Sequence, residues 1–163
     1  MTNFQNQLKT AETHLAKNDP IIGSLINKYG KCRLKSHENY YQELASGIIG
    51  QQLSVKVADV IWQRFLNIFN GLMPSPAQII ETDTEVLRTC GISYRKCSYL
   101  KDLAQKIYNK DIEIEKLITN PNDEIITELC QVKGIGPWSV HMFLIFSFGR
   151  LNVLPYSDYD IRK

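Results

Sequence analysis

Apolar residues recur at helical spacing in five long stretches: FQNQLKTAETHLAK (4–17), YYQELASGIIGQQL (40–53), VKVADVIWQRFLNIF (55–69), YRKCSYLKDLAQKIY (94–108) and NDEIITELCQV (122–132). Positions three and four apart share one face of a 3.6-residue helix, so each stretch predicts an amphipathic helix. No alternating apolar–polar run of comparable length marks a strand, and the expected fold class is all-α. The punctuation agrees. Asp19 before Pro20, Ser75 before Pro76 with Gln78 at the capping-box position, Asp83, Ser93, and Asn120 before Pro121 stand where a side chain accepts from the free amides of a first helical turn. Gly30, Gly71 and Gly91 stand where the preceding helices stop.

The stretch VKGIGPWSV, 132–140, breaks this rhythm with two glycines one residue apart, then proline and tryptophan. Glycine permits positive φ at Gly134 and Gly136, and Pro137 suits the first turn of the next helix, so the segment predicts a helix-hairpin-helix. Glycines there leave backbone N–H groups uncovered at a helix N-terminus, where donors and dipole favour a phosphate oxygen. From GIG alone, a plain corner between two helices is the favoured account, because tight helical turns often use glycine. The following helix, WSVHMFLIFSF, is apolar nearly all round, which predicts a central core helix with His141 packed rather than reactive. Beyond it Gly149 stops the helix, a short extended link runs through Val153, Leu154 and Pro155, and Asp158 stands at the start of another predicted helix. Its local pattern is that of an N-cap.

Composition adds constraints rather than an identity. The 163 residues suit one domain or two small subdomains, and a net charge of +2 is too small to indicate a partner. Cys32, Cys90, Cys97 and Cys130 are too dispersed for a zinc or iron–sulfur ligand set and read as buried free thiols. No cofactor or metal is implied. The N-terminus lacks an apolar signal core, and the apolar run 142–148 is far shorter than the roughly 20 residues that span a bilayer. A cytoplasmic location, or a nuclear one in a eukaryote, and no membrane partner are expected.

VKGIGPWSVHMFLIFSFGRLNVLPYSDYDIRK closely resembles the hairpin and catalytic-aspartate segment of the helix-hairpin-helix DNA glycosylases, in particular the DNA-3-methyladenine glycosylase II family. HLAKNDPIIGSLI, LASGIIGQQLSVKVADVIWQRF and LRTCGISYRKCSYLKDLA fit the same pattern, so four ordered segments span nearly the whole chain. The resemblance implies a base-excision repair enzyme that acts on double-stranded DNA carrying alkylated bases. It makes Asp158 the catalytic carboxylate and the Lys133–Gly136 hairpin, with Ile135, a DNA contact. It makes Gln51, Gln52, Leu53 and Ser54 the loop that enters the base stack, with Gln52 the first candidate wedge and Leu53 the second. Read locally, the same residues are a polar helix end followed by an N-cap. Trp138 occupies the position where strand-cleaving relatives carry a lysine, which implies a monofunctional enzyme. Its indole either forms a wall of the base pocket or caps the core, and Met142, one turn on, either lines the pocket or fills the core. The cationic run Arg95, Lys96, Lys101, Lys106 and Lys110 is accounted for by a solvated helix face.

The family fold implies two helical lobes, with residues 1–35 contributing the N-terminal helices of the second lobe, 36–155 the bundle with the hairpin, and 156–163 the start of the catalytic helix. Chains of this family continue for several helices past the aspartate, whereas this sequence stops at Lys163. The second lobe is therefore expected to be incomplete, with Leu8, Leu15, Ile21, Ile22, Leu25 and Ile26 uncovered and available for self-association or a partner. Two alternatives stand beside the alkylpurine glycosylase: a non-catalytic helix-hairpin-helix DNA-binding remnant, and a glycosylase for another damaged base such as uracil.

Overall fold

Two apolar faces meeting at helix α7 organise the molecule. In the computed structural model, which describes residues 3–35 and 37–161, the described residues form ten α-helices and no strand: α1 Asn3–Asn18, α2 Pro20–Tyr29, α3 Tyr40–Gly50, α4 Val55–Ile68, α5 Pro76–Glu81, α6 Thr84–Arg88, α7 Tyr94–Tyr108, α8 Ile114–Leu117, α9 Asn122–Leu129 and α10 Pro137–Phe146. The inward face of α7 buries Cys97, Leu100, Leu103 and Ala104 against α3, α5 and α6. From α3 come Leu44, Ala45, Ile48 and Ile49, from α9 Ile125 and Leu129, and from α10 Val140, Phe143 and Leu144, all in one apolar cluster with Phe65 of α4 at its interior. Each fully buried Leu, Ile or Phe side chain contributes about 1.5–3 kcal/mol relative to exposure.

Local signals set most helix starts. Asp19 accepts from the amides of Ile21 and Ile22, Asp83 from Glu85 and Ser93 from Lys96, and Ser75 and Gln78 form the reciprocal capping box. Gly30, Gly71 and Gly91 take φ of 82°, 80° and 95° where helices end. Asn120 departs from expectation. Its amide bonds to the Leu117 carbonyl, Pro121 is extended, and α9 begins only at Asn122. Arg150 braces this junction from a distance, donating to the carbonyls of Ile118 and Asn120 and to Asn122 Oδ1, while the first amides of α9 have no side-chain cap.

Helices α1 and α2 pack against each other and reach the rest of the molecule through the Phe4 ring, which lies over Gly149, and through Gln5 Nε2, which donates to the Leu34 carbonyl. Leu8, expected to be uncovered, is buried in this arrangement. Leu15, Ile21 and Leu25 are exposed as expected, while Ile22 and Ile26 are half-buried. Cys90 and Cys97 are buried free thiols, whereas Cys32 is exposed.

Candidate active-site cleft and nucleic-acid interface

An open cleft of about 640 Å³ runs between α3 and α10. Trp138, Met142 and Phe146, spaced four apart on α10, form its apolar wall, with Gly47 and Gly50 of α3 opposite. Trp138 is 46% exposed and Met142 half-buried, so neither is sealed in the core. The turn Gln51–Leu53 lies at one end of the cleft, and Glu43, near the start of α3, also lines it. The apolar character all round that marked α10 as a core helix thus covers two faces: Val140, Phe143 and Leu144 point inward and Phe146, not singled out from sequence, points into the cleft.

Asp158 is fastened to this wall by a single side-chain bond. The Trp138 indole N–H donates to Asp158 Oδ2 at 2.5 Å, and the backbone N–H of Asp160 donates to Oδ1 at 2.9 Å. Both donors favour the charged carboxylate, and they hold its pKa below the ordinary aspartate value, the indole contributing most. Asp158 does not itself line the cleft; it joins it through Trp138. The expected helix after it appears, through Ile161, only as a turn, which Asp158 caps as the local pattern suggested; Arg162 and Lys163 lie outside the described residues. His141 is buried, as expected, with its ring 5.6 Å from that of Tyr156.

The hairpin between α9 and α10 is gripped by α7. The backbone N–H of Lys133 donates to Asp102 Oδ2 at 2.9 Å, with the Lys133 ammonium 3.7 Å from Oδ1. Gly134 has φ of 81°, and a Cβ there would fall 2.1 Å from the Tyr99 ring, so conformation and space both require glycine. Ile135 turns its side chain into the core. Gly136 does not adopt the positive φ expected of it; at φ −112° and ψ 174° its backbone is extended, and a Cβ there would meet nothing within 4 Å. Pro137 occupies the first turn of α10 as expected. The N–H groups of Gly134 and Gly136 have no partner among the described residues and stand beside the N-terminus of α10.

In the Gln51–Ser54 turn, Gln52 is exposed with φ of 59°, an uncommon conformation for a residue with a side chain. Gln51 spends its side-chain amide internally, donating to the Gly134 carbonyl at 2.8 Å. Leu53 is half-buried, and Ser54 occupies the N-cap position of α4 without a side-chain cap bond. Helix α3 ends at Gly50 with Gln51 as its C-cap, so the polar helix end read locally begins there, and Gln52 and Leu53 continue it as a turn. Among the cationic run, Lys96 departs from the solvated face expected of it: it is half-buried and donates to the carbonyls of Ile49 and Gln51. Among the described residues no group of three or more His, Cys, Asp or Glu side chains is placed to hold a metal ion, and no helix is long and apolar enough to cross a membrane.

Residues 45–163 match the sequence model of the family described as "HhH-GPD superfamily base excision DNA repair protein". DNA-3-methyladenine glycosylase 1 of Schizosaccharomyces pombe is 39% identical over 164 residues, which cover 96% of this chain and 71% of that protein. The alkylbase DNA glycosidase-like protein mag2 of the same organism is 34% identical, covering 95% of this chain and 75% of that one. Among solved structures, the S. pombe 3-methyladenine DNA glycosylase in complex with abasic DNA superposes with a TM-score of 0.83 at 39% identity, over 94% of this chain and 77% of that one. A DNA-3-methyladenine glycosidase from Bacillus halodurans gives 0.79 at 32% identity, over 91% and 68%.

Proposed function

The chain belongs to the HhH-GPD superfamily of base excision DNA repair proteins, and from that premise we propose that it is a DNA glycosylase hydrolysing the N-glycosidic bond of alkylated purines such as 3-methyladenine, with Asp158 as its catalytic carboxylate. The observation that carries the residue assignment is the Trp138–Asp158 hydrogen bond, which fixes an ionised carboxylate beside an open apolar cleft.

The chemistry needs little more. When the bond between C1′ and the base nitrogen breaks, its electron pair leaves with the base. An N3-alkylated adenine is cationic while attached and departs neutral, so no general acid has to protonate it. The sugar is left with positive charge at C1′, where a fixed carboxylate stabilises the developing cation. Water then adds at C1′ and gives up a proton, which completes an abasic site. Trp138 and Met142 present a polarisable wall on which a cationic base stacks, worth about 0.5–2 kcal/mol.

The hairpin supplies the grip. Nothing inside the protein requires glycine at Gly136, which fits a backbone surface kept bare for close approach of a DNA phosphate. Gln52, exposed at the tip of its turn, is the wedge that fills the stack when the damaged nucleotide is flipped out, with Leu53, half-buried beside it, the second candidate. With Trp138 at the lyase-lysine position and the Lys133 ammonium facing Asp102, the enzyme is monofunctional. The test is single-turnover incubation with methylated duplex DNA. Free methyladenine released without strand cleavage is the expected result. Tight DNA binding with no base released would instead establish the non-catalytic binding module.

A further inference from the structure

Three side chains at successive turns of α7, Lys96, Tyr99 and Asp102, face the two segments assigned to DNA. Asp102 holds the Lys133 backbone, and Tyr99 lies against Gly134. Lys96 reaches the other segment: its Nζ donates at 2.7 Å to the carbonyl of Ile49 and at 2.7 Å to that of Gln51. The last carbonyls of a helix have no intrahelical partner, and α3 ends at Gly50 without a capping side chain of its own. An ammonium there satisfies one of these acceptors, the Ile49 carbonyl, together with the Gln51 carbonyl just past the helix end, and complements the negative end of the helix dipole. Burial pulls the Lys96 pKa down, so its two carbonyl bonds replace water that the group has lost. Gln51 closes the circuit, since the residue whose carbonyl Lys96 holds sends its own side chain to the Gly134 carbonyl.

We propose that Lys96 is a positioning residue for base flipping: by tying the end of α3 to α7, it fixes the Gln51–Ser54 turn at a set distance from the phosphate-gripping hairpin and so sets how far Gln52 reaches into the duplex. This rests on the reading of Gln52 as the wedge. A surface lysine that merely touched DNA phosphate would leave its ammonium in solvent; this one is directed inward at two carbonyls. A turn released from Lys96 still carries Gln52, but no longer holds it at a fixed height over the hairpin. The cost falls on extrusion of a paired base and not on chemistry once the base is out.

The experiment compares release of methyladenine under single-turnover conditions from methylated duplex DNA and from the same methylated DNA as a single strand, with 2-aminopurine fluorescence reporting base extrusion in the duplex. Lys96→Met is expected to slow release from the duplex about tenfold or more, the size set by loss of its two charge-assisted hydrogen bonds, and to slow the 2-aminopurine signal in step, while single-strand release changes less than about threefold. Lys96→Arg, which keeps donors for both carbonyls, should restore the duplex rate. Equal loss on both substrates, or none on either, overturns the proposal; should the methionine variant not fold, Lys96→Gln answers the same question. Gln52→Gly separates the two readings, because glycine removes the side chain and suits the positive φ. If Gln52→Gly shows no duplex-selective defect, the wedge reading fails and takes the Lys96 proposal with it. A duplex-selective defect in Gln52→Gly but not in Lys96→Met overturns the Lys96 proposal alone.

Discussion

The hairpin at 132–136 and the segment 155–161 serve one surface but are held in opposite ways. Three partners from elsewhere in the chain fasten the hairpin: the Asp102 carboxylate, the Tyr99 ring and the Gln51 amide, while Val132 and Ile135 anchor it from below. The Asp158 segment has buried Pro155, an edge contact between Tyr156 and His141, and the bond that the Trp138 indole donates to Asp158. Around these, Leu154, Tyr156, Tyr159 and Ile161 are exposed. On the proposed assignment, the grip on DNA is therefore built into the fold, whereas the chemical group is added at its edge. Changes at the clamped hairpin positions Lys133 and Gly134 should cost stability as well as binding, and changes around Asp158 should cost activity alone.

Removing the carboxylate is the sharpest way to test that separation. Asp158→Asn keeps the shape and the acceptor for the Trp138 indole but removes the charge, and base release should fall on the order of 10²–10³-fold or more. Thermal melting and duplex affinity should stay close to the parent. Near-native release would end the catalytic assignment, and a borohydride-trapped covalent adduct with DNA would replace it with amine chemistry.

Gly134→Ala should do the reverse. The new methyl would lie 2.1 Å from the Tyr99 ring on a backbone at φ 81°, and overpacking with left-handed strain should destabilise the fold by about 2–4 kcal/mol. A melting temperature within a degree or two of the parent would mean that α7 and the hairpin separate freely, and the contrast drawn above would be lost.

What was legible beforehand follows the same division. Caps such as Asp19, Ser75 with Gln78 and Ser93 act over three residues, so their chemistry is written where it is used. The clamps are not local: Lys96 to Gln51 spans 45 positions, Asp102 to Lys133 spans 31 and Gln51 to Gly134 spans 83. Composition marks none of these pairs, which is why Lys96 read as one of several solvated cations and why nothing near Asn120 pointed to Arg150, 30 positions away, as the group that holds its carbonyl. Asp158 looked like an N-cap and does cap a turn, so only the family pattern raised it above that role. Gly134 and Gly136 look alike in the string. In the fold one is demanded by φ and a neighbouring ring, the other by nothing within the protein.

Smaller effects refine the comparison. Trp138→Phe keeps a ring in the cleft wall and removes the indole N–H from Asp158, so release should slow about tenfold, the worth of one hydrogen bond to a charged group. Stability should hold, since Trp138 is nearly half exposed. Gly136→Ala should leave the melt unchanged, because its Cβ meets open space and its φ suits any residue. If a phosphate approaches there, duplex affinity should fall about threefold to tenfold, the range for one such contact. Unchanged affinity would return Gly136 to a plain structural corner and confine the grip to Gly134.

The smallest expected effect is in the pH profile, and it tests the single bond that sets the two regions apart. The Trp138 indole, and after it the Asp160 backbone N–H, hold the Asp158 carboxyl below the ordinary aspartate range. A depressed folded pKa means that the charged form is favoured in the folded protein. Its stabilisation is therefore fully present above the unfolded value of about 3.9 and is lost as pH falls through the lower folded value. Because the group is exposed, the effect on melting should be slight. The rate is the better reporter, since base release on the proposed mechanism requires the carboxylate. Corrected for spontaneous depurination, the acid limb of the single-turnover profile should lie below the ordinary aspartate range, with a flat profile from there to neutral pH. In Trp138→Phe the largest cause is gone and the Asp160 amide remains. The limb should move up toward the ordinary value without reaching it. A limb that stays in place while the rate falls would show that the indole orients the carboxylate without setting its charge.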